Sequence, residues 1–258
     1  MGGCRSEFPL IVDPAFYAAA VPATILVGLS KGGFTGLSVL GQPILALVMS
    51  PIQAAAIILP VLIVQDVVSL YAYWRRWSRS ELLRTLPGAV AGIVLGYLLA
   101  ASVSDAAVAF GIGVLSVVEA GRAFLSRRLK RTPGEAGPIS AAVWSAVSGF
   151  TSMIANAGGP PLMIYLLRRS LPVQQFAATA TAFFAVVNWV KLPFFLALGQ
   201  VSFENLATSA VLFPIAVVST MAGVWLVRRV SPKRFFGFVY TILAVVGLKL
   251  IYDGLTHF

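Results

Sequence analysis

Long apolar segments separated by short charged stretches make up most of the chain. Six of these segments are continuous enough to form membrane-spanning helices: 54–72, 86–102, 106–121, 176–198, 207–227 and 235–252. At a rise of about 1.5 Å per residue, each crosses about 25–34 Å, which matches the hydrocarbon core of a bilayer. The pattern therefore predicts an all-α polytopic membrane protein.

Two further apolar segments, 14–49 and 139–167, are interrupted near their middle by the glycine-rich sequences "SKGGFTG" and "NAGGPP". Non-helical backbone at membrane depth is tolerated only where it is buried in protein or lines a cavity. Each segment is therefore predicted to form a glycine-broken helical hairpin, either re-entrant or built as a pair of short spans, with an internal site at the break.

Charge is scarce in this chain and unevenly placed. Charged residues make up 11% of the sequence, whereas soluble domains carry about 25%, and the mean hydropathy is +0.90. Of the 19 Lys and Arg residues, 15 fall in four short clusters, within 75–84, 122–131, 168–169 and 228–234. Short basic loops stay cytoplasmic, so the net charge of +10 is explained by topology, and no nucleic-acid partner is predicted.

The basic loops also set the direction of each segment. Residues 122–138 and 168–169 are both predicted to be cytoplasmic, so segment 139–167 enters and leaves the membrane on one side. Segment 14–49 is the opposite case and enters and leaves from outside. Both termini are then predicted to lie outside. The start "MGGCRS" fits a myristoylation pattern, and this match is taken as coincidence because that end is predicted to be external.

Similarity between the two halves supports opposite orientations. "SPIQAAAI" after the first broken segment resembles "LPVQQFAA" after the second, and a constant offset relates four residue pairs: Gly32–Gly149, Gly41–Gly158, Pro43–Pro160 and Leu45–Leu162. We predict two inverted-topology repeats, each a glycine-broken hairpin followed by three transmembrane helices. The predicted organisation is a tail at 1–13, the first repeat at 14–122, a cytoplasmic basic loop at 123–138 and the second repeat at 139–258, in one integrated transmembrane domain.

The broken segments also carry residues suited to binding an anion. Pro160–Pro161 predict the start of a new helix, whose free N–H groups and partial positive charge attract anions. Lys31 adds a full positive charge at the other break, and Asn156, Thr35 and Ser152 supply neutral donors. The alternative is that the glycines only permit close helix packing, which leaves the lysine unexplained.

Ionisable residues inside predicted spans are costly to bury and are commonly functional. Lys191 shares a helix face with Asn188, and it suits either a substrate site or the outer interface. Asp66 is a candidate for carrying a coupling proton, and the alternative is a pair with a basic loop residue. Glu119 is expected to form an interfacial ion pair with Arg122, and Lys249 is expected to extend to the outer interface.

Glycines elsewhere are predicted to serve packing. Gly88, Gly92 and Gly96 recur every four residues on one helix face, which favours close helix packing and leaves a homodimer contact as the alternative. An enzyme is not predicted, because His257 is the sole histidine and Cys4 the sole cysteine. These residues cannot build a metal site or activate a serine nucleophile, so no metal or cofactor is expected. A cation channel would need more carboxylates than the spans contain.

The chain resembles the TauE/SafE sulfite exporter family, also called the 4-toluene sulfonate uptake permease family, from about Pro14 to Tyr252. The resemblance rests on "GLSKGGFTG", "NAGGPPLMIYLL", "ATATAFFAVVNWVK" and the repeated Pro-x-Gln element. It implies a secondary transporter of the bacterial inner membrane that moves sulfite, sulfonates or sulfoacetate by alternating access, in some members with proton coupling. The alternative function is a transporter or channel for another small anion or a carboxylate.

The resemblance also implies which residues bind substrate. "GQP" at Gly41–Pro43 departs from the "GGP" that many relatives carry, so the role of Gln42 is open. The expected partners are a small anion and the lipid bilayer, with a homodimer as a further expectation. The implied substrate-binding residues are Lys31, Gly32, Gly33, Thr35, Asn156, Gly158, Gly159, Pro160, Thr179, Asn188 and Lys191.

Overall fold

A computed structural model describes residues 11, 13–32, 37–100, 104–126, 137–169, 171–199, 201–226 and 232–256 of the chain. These residues form helices and connecting turns, without a strand among them, as the apolar pattern predicted. The helices are α1 Pro14–Lys31, α2 Gly41–Leu45, α3 Pro51–Ala72, α4 Arg79–Ala100, α5 Asp105–Ser126, α6 Pro138–Ala155, α7 Gly159–Leu166, α8 Val173–Ala197, α9 Phe203–Leu226 and α10 Pro232–Thr256.

Several of these helices are suited to cross a bilayer. Within the described ranges, α1, α3, α4, α8 and α9 are long and apolar enough to do so, and α6 is a shorter apolar helix. Their outward faces carry exposed apolar side chains such as Leu98 and Val218, with 61% and 67% of their surface accessible. Surfaces of this kind belong against lipid, and the chain is a multi-pass membrane protein.

The helices begin earlier than the apolar runs alone predicted. The apolar run predicted as a helix at 86–102 lies in α4, but α4 starts at Arg79 and includes the charged residues Glu81 and Arg84. The Ser78 hydroxyl accepts a hydrogen bond from the Glu81 N–H at 3.4 Å, which satisfies one free donor of the first turn. Hydropathy marks the lipid-facing length of a helix, whereas capping groups set where it begins.

Both broken segments have a long first arm and a short return arm. In the first, α1 has 18 residues and returns through a 3₁₀ turn at Leu37–Leu40 and the five-residue α2. In the second, α6 has 18 residues and is capped at its C-terminus by Asn156, whose φ of 49° is left-handed, and the return arm is the eight-residue α7. Pro160 and Pro161 lie in the first turn of α7, so the predicted helix start is confirmed.

The glycine stripe of α4 is a packing surface against α6. A Cβ atom built on Gly92 would lie 1.9 Å from the Ala146 carbonyl oxygen, and one on Gly88 would lie 2.6 Å from the Ala142 carbonyl oxygen. The packing prediction is confirmed. A dimer contact through this stripe is wrong, because α6 covers it.

One residue pair of the constant offset does not match in the fold. Gly32 caps the C-terminus of α1, whereas Gly149 lies in the middle of α6 and the corresponding cap is Asn156. Each glycine allows another helix to approach closely: Gly32 meets Gly223 of α9, and Gly149 meets Ala89 of α4. Their shared residue type therefore reflects packing and not equivalent position.

Two helices lie at the centre of the bundle. α3 packs against α8 and α9, and α8 also packs against α4. Around them, α1 packs along α9, α6 packs along α4, and α5 pairs with α10. Of the two return arms, α2 packs against α1 and α3, and α7 packs against α6 and the 3₁₀ turn of the first break.

Candidate functional site

A small cavity lies between the two broken segments and the middle of α3 and α8. Its volume of about 30 Å³ holds about two water molecules. Ser38 and Gly159 bring the two return arms to it, and α3 contributes the apolar Leu62. The remaining lining residues are Lys31, Ser152, Asn156, Phe184 and Asn188.

Lys31 and Asp66 form a buried ion pair beside this cavity. Lys31 is in the last turn of α1, where the helix dipole favours a cation, and its ammonium contacts one oxygen of the Asp66 carboxylate. The other Asp66 oxygen accepts a hydrogen bond from the Asn188 amide at 2.6 Å. The Lys31 ammonium also lies 5.5 Å from the centre of the Phe184 ring, within range of a cation–π interaction.

The partner of Asp66 differs from the predicted alternative. The sequence left a basic loop residue as one choice, but the carboxylate is 1% exposed and its contacts come from α1 and α8. The loop alternative is therefore wrong. Asp66 pairs instead with the lysine of the first break.

Lys191 is fully buried and points into the bundle. Its ammonium donates to the Asn156 side-chain oxygen at 2.6 Å and to the Ser152 carbonyl at 3.2 Å. The alternative in which Lys191 extends to the outer interface is thus wrong. Within the described residues it makes no salt bridge, so its contacts are with neutral oxygens.

Lys191 also fixes which way the Asn156 amide faces. An ammonium only donates, so Asn156 must present its oxygen to Lys191 and its NH₂ group elsewhere. The NH₂ group donates to the Gln42 side-chain oxygen at 3.3 Å, and the Gln42 amide donates to the Pro51 carbonyl at 2.7 Å. Gln42, whose role the sequence left open, therefore links the two breaks through Asn156.

The backbone at the glycines of the second break is closely packed or lines the cavity. The Gly158 carbonyl accepts from the Ser148 hydroxyl at 2.6 Å, and a Cβ atom on Gly158 would lie 2.6 Å from the Ser148 carbonyl oxygen. Gly159 lines the cavity directly, and Pro160 follows it in the first turn of α7. Of the predicted residues of this break, Asn156 and Gly159 thus line the cavity, and Gly158 and Pro160 are the chain neighbours of Gly159.

Other predicted site residues lie elsewhere. Gly32 packs against Gly223 of α9, and its carbonyl accepts from the Tyr73 hydroxyl at 2.8 Å. The Thr179 hydroxyl accepts from the Ser78 N–H at 2.9 Å, about 13 Å along α8 from the Asn188 level. Neither residue lines the cavity. Gly33 and Thr35 lie outside the described residues.

The other ionisable residues of the spans have separate positions. Lys249 pairs with Asp253 one turn later on α10, and its side chain is 54% exposed, which agrees with an interfacial position. The side chains of Glu119 and Arg122 lie outside the described residues, so their ion pair stays a prediction.

A buried carboxylate that the sequence did not single out is Glu81, at the start of α4. It accepts hydrogen bonds from the Tyr165 hydroxyl at 2.5 Å and from the Arg169 guanidinium at 3.0 Å, and it contacts Arg84 at 3.3 Å. These contacts join α4 to the return arm of the second break. An acid within the basic sequence "WRRWSRSELLR" was the available signal.

The TauE/SafE sulfite exporter family model matches residues 20–250, a range that includes both breaks and the central helices. The chain belongs to the TauE/SafE sulfite exporter family. Members of this family are transporters and not enzymes, so the chain is a membrane transport protein. A search of curated proteins and a search of solved structures each returned no match.

Proposed function

We propose that this TauE/SafE protein is a secondary transporter of small sulfur-containing anions, such as sulfite, sulfonates or sulfoacetate. Membership of the family supports this substrate class. The observation that carries the proposal is the cavity between the two breaks, where the Lys31 ammonium and the Asn156 and Asn188 amides converge. These are the donors that an oxyanion needs, and all three reach the cavity from transmembrane segments.

The charges around the cavity also favour an anion. Lys31 and Lys191 supply two ammonium groups, whereas Asp66 is the carboxylate in contact with this cluster. Buried charge that is not matched by a partner is costly, so two lysines beside a single carboxylate favour binding of a negatively charged solute in the cavity. A site for a cation would need the opposite balance.

We further propose that the halves are inverted repeats, as the sequence predicted, with basic loops in the cytoplasm and both termini outside the bacterial inner membrane. The packing of helices between the two halves supports this arrangement. The first arm of one half packs on the fourth helix of the other, α1 on α9 and α6 on α4, while α3–α8 and α5–α10 pair like with like. Repeats related in this way permit alternating access by movement of one against the other.

The proposal is tested by binding and by flux. Purified protein would be titrated with sulfite, thiosulfate, sulfate, sulfoacetate, taurine and acetate, and uptake of the anions that bind would be measured in proteoliposomes. Lys31→Ala and Asn156→Ala should each reduce both signals. Lys249→Ala removes the lysine of an exposed Lys–Asp pair and serves as the matched control.

Full binding and flux in both cavity variants would contradict the site. Preference for acetate over every sulfur anion would favour the alternative, a carboxylate transporter. Flux that does not saturate as the anion concentration rises would favour a channel.

A further inference from the structure

The Asp66 carboxylate occupies two of the donors that line the cavity. The Lys31 ammonium contacts one of its oxygens, and the Asn188 amide donates to the other at 2.6 Å. Lys31 and Asn188 line the cavity, and Asp66 lies behind them and is 1% exposed. A carboxylate held by charged and neutral donors on separate oxygens is bound as a small oxyanion would be.

We propose that Asp66 is an internal counter-anion, which competes with the transported anion for Lys31 and Asn188 and is protonated when that anion binds. This inference rests on the proposed function. It concerns the coupling of the same site and not the identity of the substrate.

The small size of the cavity favours such an exchange. A volume of about 30 Å³ accommodates water but leaves little room for an anion with several oxygen atoms. Lys31 and Asn188 each direct an N–H group at Asp66, so an incoming anion that takes these same N–H groups must displace the carboxylate from them. Both side chains have rotatable bonds, and the ends of Lys31 and Asn188 reach the cavity from opposite helices, α1 and α8.

The exchange leaves Asp66 buried without its partners. An unpaired buried carboxylate is strongly disfavoured, so it takes one proton from water on the open side of the transporter and becomes a neutral carboxylic acid. Release of the anion returns the donors to Asp66, and the same proton returns to water. The stoichiometry is therefore one proton with one anion, in the same direction.

Among the side chains that the structure describes, the charges that act on Asp66 come from two helices. Lys31 on α1 and Lys191 on α8 both interact with it electrostatically. Among the other helices packed on α3, α2 and α6 contain no ionisable residue and α9 contains Glu204 in its first turn. The side chains of Asp105, Glu119 and Arg122 on α5 lie outside the described residues. The anion thus competes with Asp66 for direct contact with Lys31 and Asn188, and Lys191 adds positive charge at longer range.

The test compares anion binding by the full-length protein and by Asp66→Asn in chloride-free buffer. Sulfite is measured together with sulfate and methanesulfonate, whose charges do not change between about pH 6 and 8, so that any pH dependence belongs to the protein. For the unaltered protein, affinity should rise as the pH falls, by at most about tenfold per unit. Asp66→Asn should bind about tenfold or more tightly than the unaltered protein at pH 8, and its affinity should depend less steeply on pH.

The controls separate folding, coupling and function. Asp66→Glu keeps a carboxylate and should keep the pH dependence, and Asp253→Asn makes the same change in the exposed pair with Lys249 and should bind like the unaltered protein. Asp66→Asn affinity that equals or falls below that of the unaltered protein would overturn the inference. If that variant does not fold, pH-independent binding by the unaltered protein and Asp66→Glu overturns it instead. Failure of the unaltered protein to bind any of the probes would contradict the proposed function itself.

Discussion

Replacing Lys191 by methionine should weaken anion binding without unfolding the protein. The substitution keeps a long unbranched side chain and removes a charge that is 0% exposed. It deletes two hydrogen bonds from a charged donor, to Asn156 and Ser152, each contributing about 1.5–3 kcal/mol. It also removes the desolvation cost of a buried ammonium, which is several kcal/mol. These terms oppose each other, so the change in unfolding free energy should be within about 2 kcal/mol of zero.

The effect on binding has no such compensation. Without Lys191, the Asn156 side-chain oxygen loses the donor that holds it, so the direction of the Asn156 NH₂ group is no longer fixed. The site also loses a basic group. Loss of the charge-assisted hydrogen bond from the Asn156 amide to the anion, about 1.5–3 kcal/mol, corresponds to about 10- to 150-fold weaker binding. Weaker anion binding together with a nearly unchanged unfolding free energy would show that Lys191 serves binding and does not stabilise the fold.

The assay is calorimetric titration of detergent-purified protein with sulfite, accompanied by thermal melting of the anion-free protein. Lys249→Met is the control, since that lysine is exposed and pairs with Asp253 away from the cavity. Sulfite binding by Lys191→Met equal to that of the unaltered protein would refute the reasoning. A decrease of more than about 3 kcal/mol in the unfolding free energy would show instead that Lys191 stabilises the fold.

Three other outcomes can be checked with similar material. Gly92→Val should destabilise the bundle by about 1–3 kcal/mol, because a Cβ atom there meets the Ala146 carbonyl oxygen at 1.9 Å. Gly111→Ala should melt like the unaltered protein, because a Cβ atom there meets nothing within 4 Å. Equal melting temperatures for the two variants would contradict the α4–α6 packing. Glu81→Gln should cost about 1–3 kcal/mol, because Tyr165 and Arg169 donate to different oxygens of Glu81, and the substitution removes the charge and turns one oxygen into an NH₂ donor. An unchanged melting curve would show that this cluster does not hold the return arm. In proteoliposomes, Asp66→Asn should still exchange labelled anion across the membrane but should not accumulate it under an imposed proton gradient; accumulation at the normal level would separate Asp66 from coupling.

The sequence predicted the helices and breaks well because these depend on local properties. Apolar runs of sufficient length form spans, and Pro160–Pro161 begins a helix wherever it occurs after a break. The helix starts were less predictable. At Arg79 the first turn is charged, and the Ser78 cap decides where the helix begins.

The site was predictable only as a set of residue types. Lys31 and Asn156 were found because a charge and an amide at glycine-rich breaks are unusual in an apolar chain. Their partners depend on contacts between distant segments: Asp66 is 35 residues from Lys31, and Asn188 is 122 residues from Asp66. Lys191 illustrates the limit, since its side chain is long enough to reach either the interface or the bundle, and only tertiary packing selects the latter.

Glycine and threonine show the same limit in another way. The spacing of Gly88, Gly92 and Gly96 correctly predicted a packing face but not that α6 covers it. Thr179 was placed near the substrate by the family resemblance alone, whereas the fold uses its hydroxyl to hold the start of α4. The residue type alone does not show whether a polar side chain in an apolar segment binds substrate or joins two helices.

The most direct measurement is a structure of the protein with selenite, a close analogue of sulfite whose selenium atom is located by anomalous scattering. We expect one selenium peak in the cavity, within hydrogen-bonding reach of Lys31 and of the Asn156 and Asn188 amides, with the Asp66 side chain released from Lys31. A peak confined to the basic loops, with an empty cavity and an intact Lys31–Asp66 pair under saturating selenite, would contradict an anion site between the two breaks.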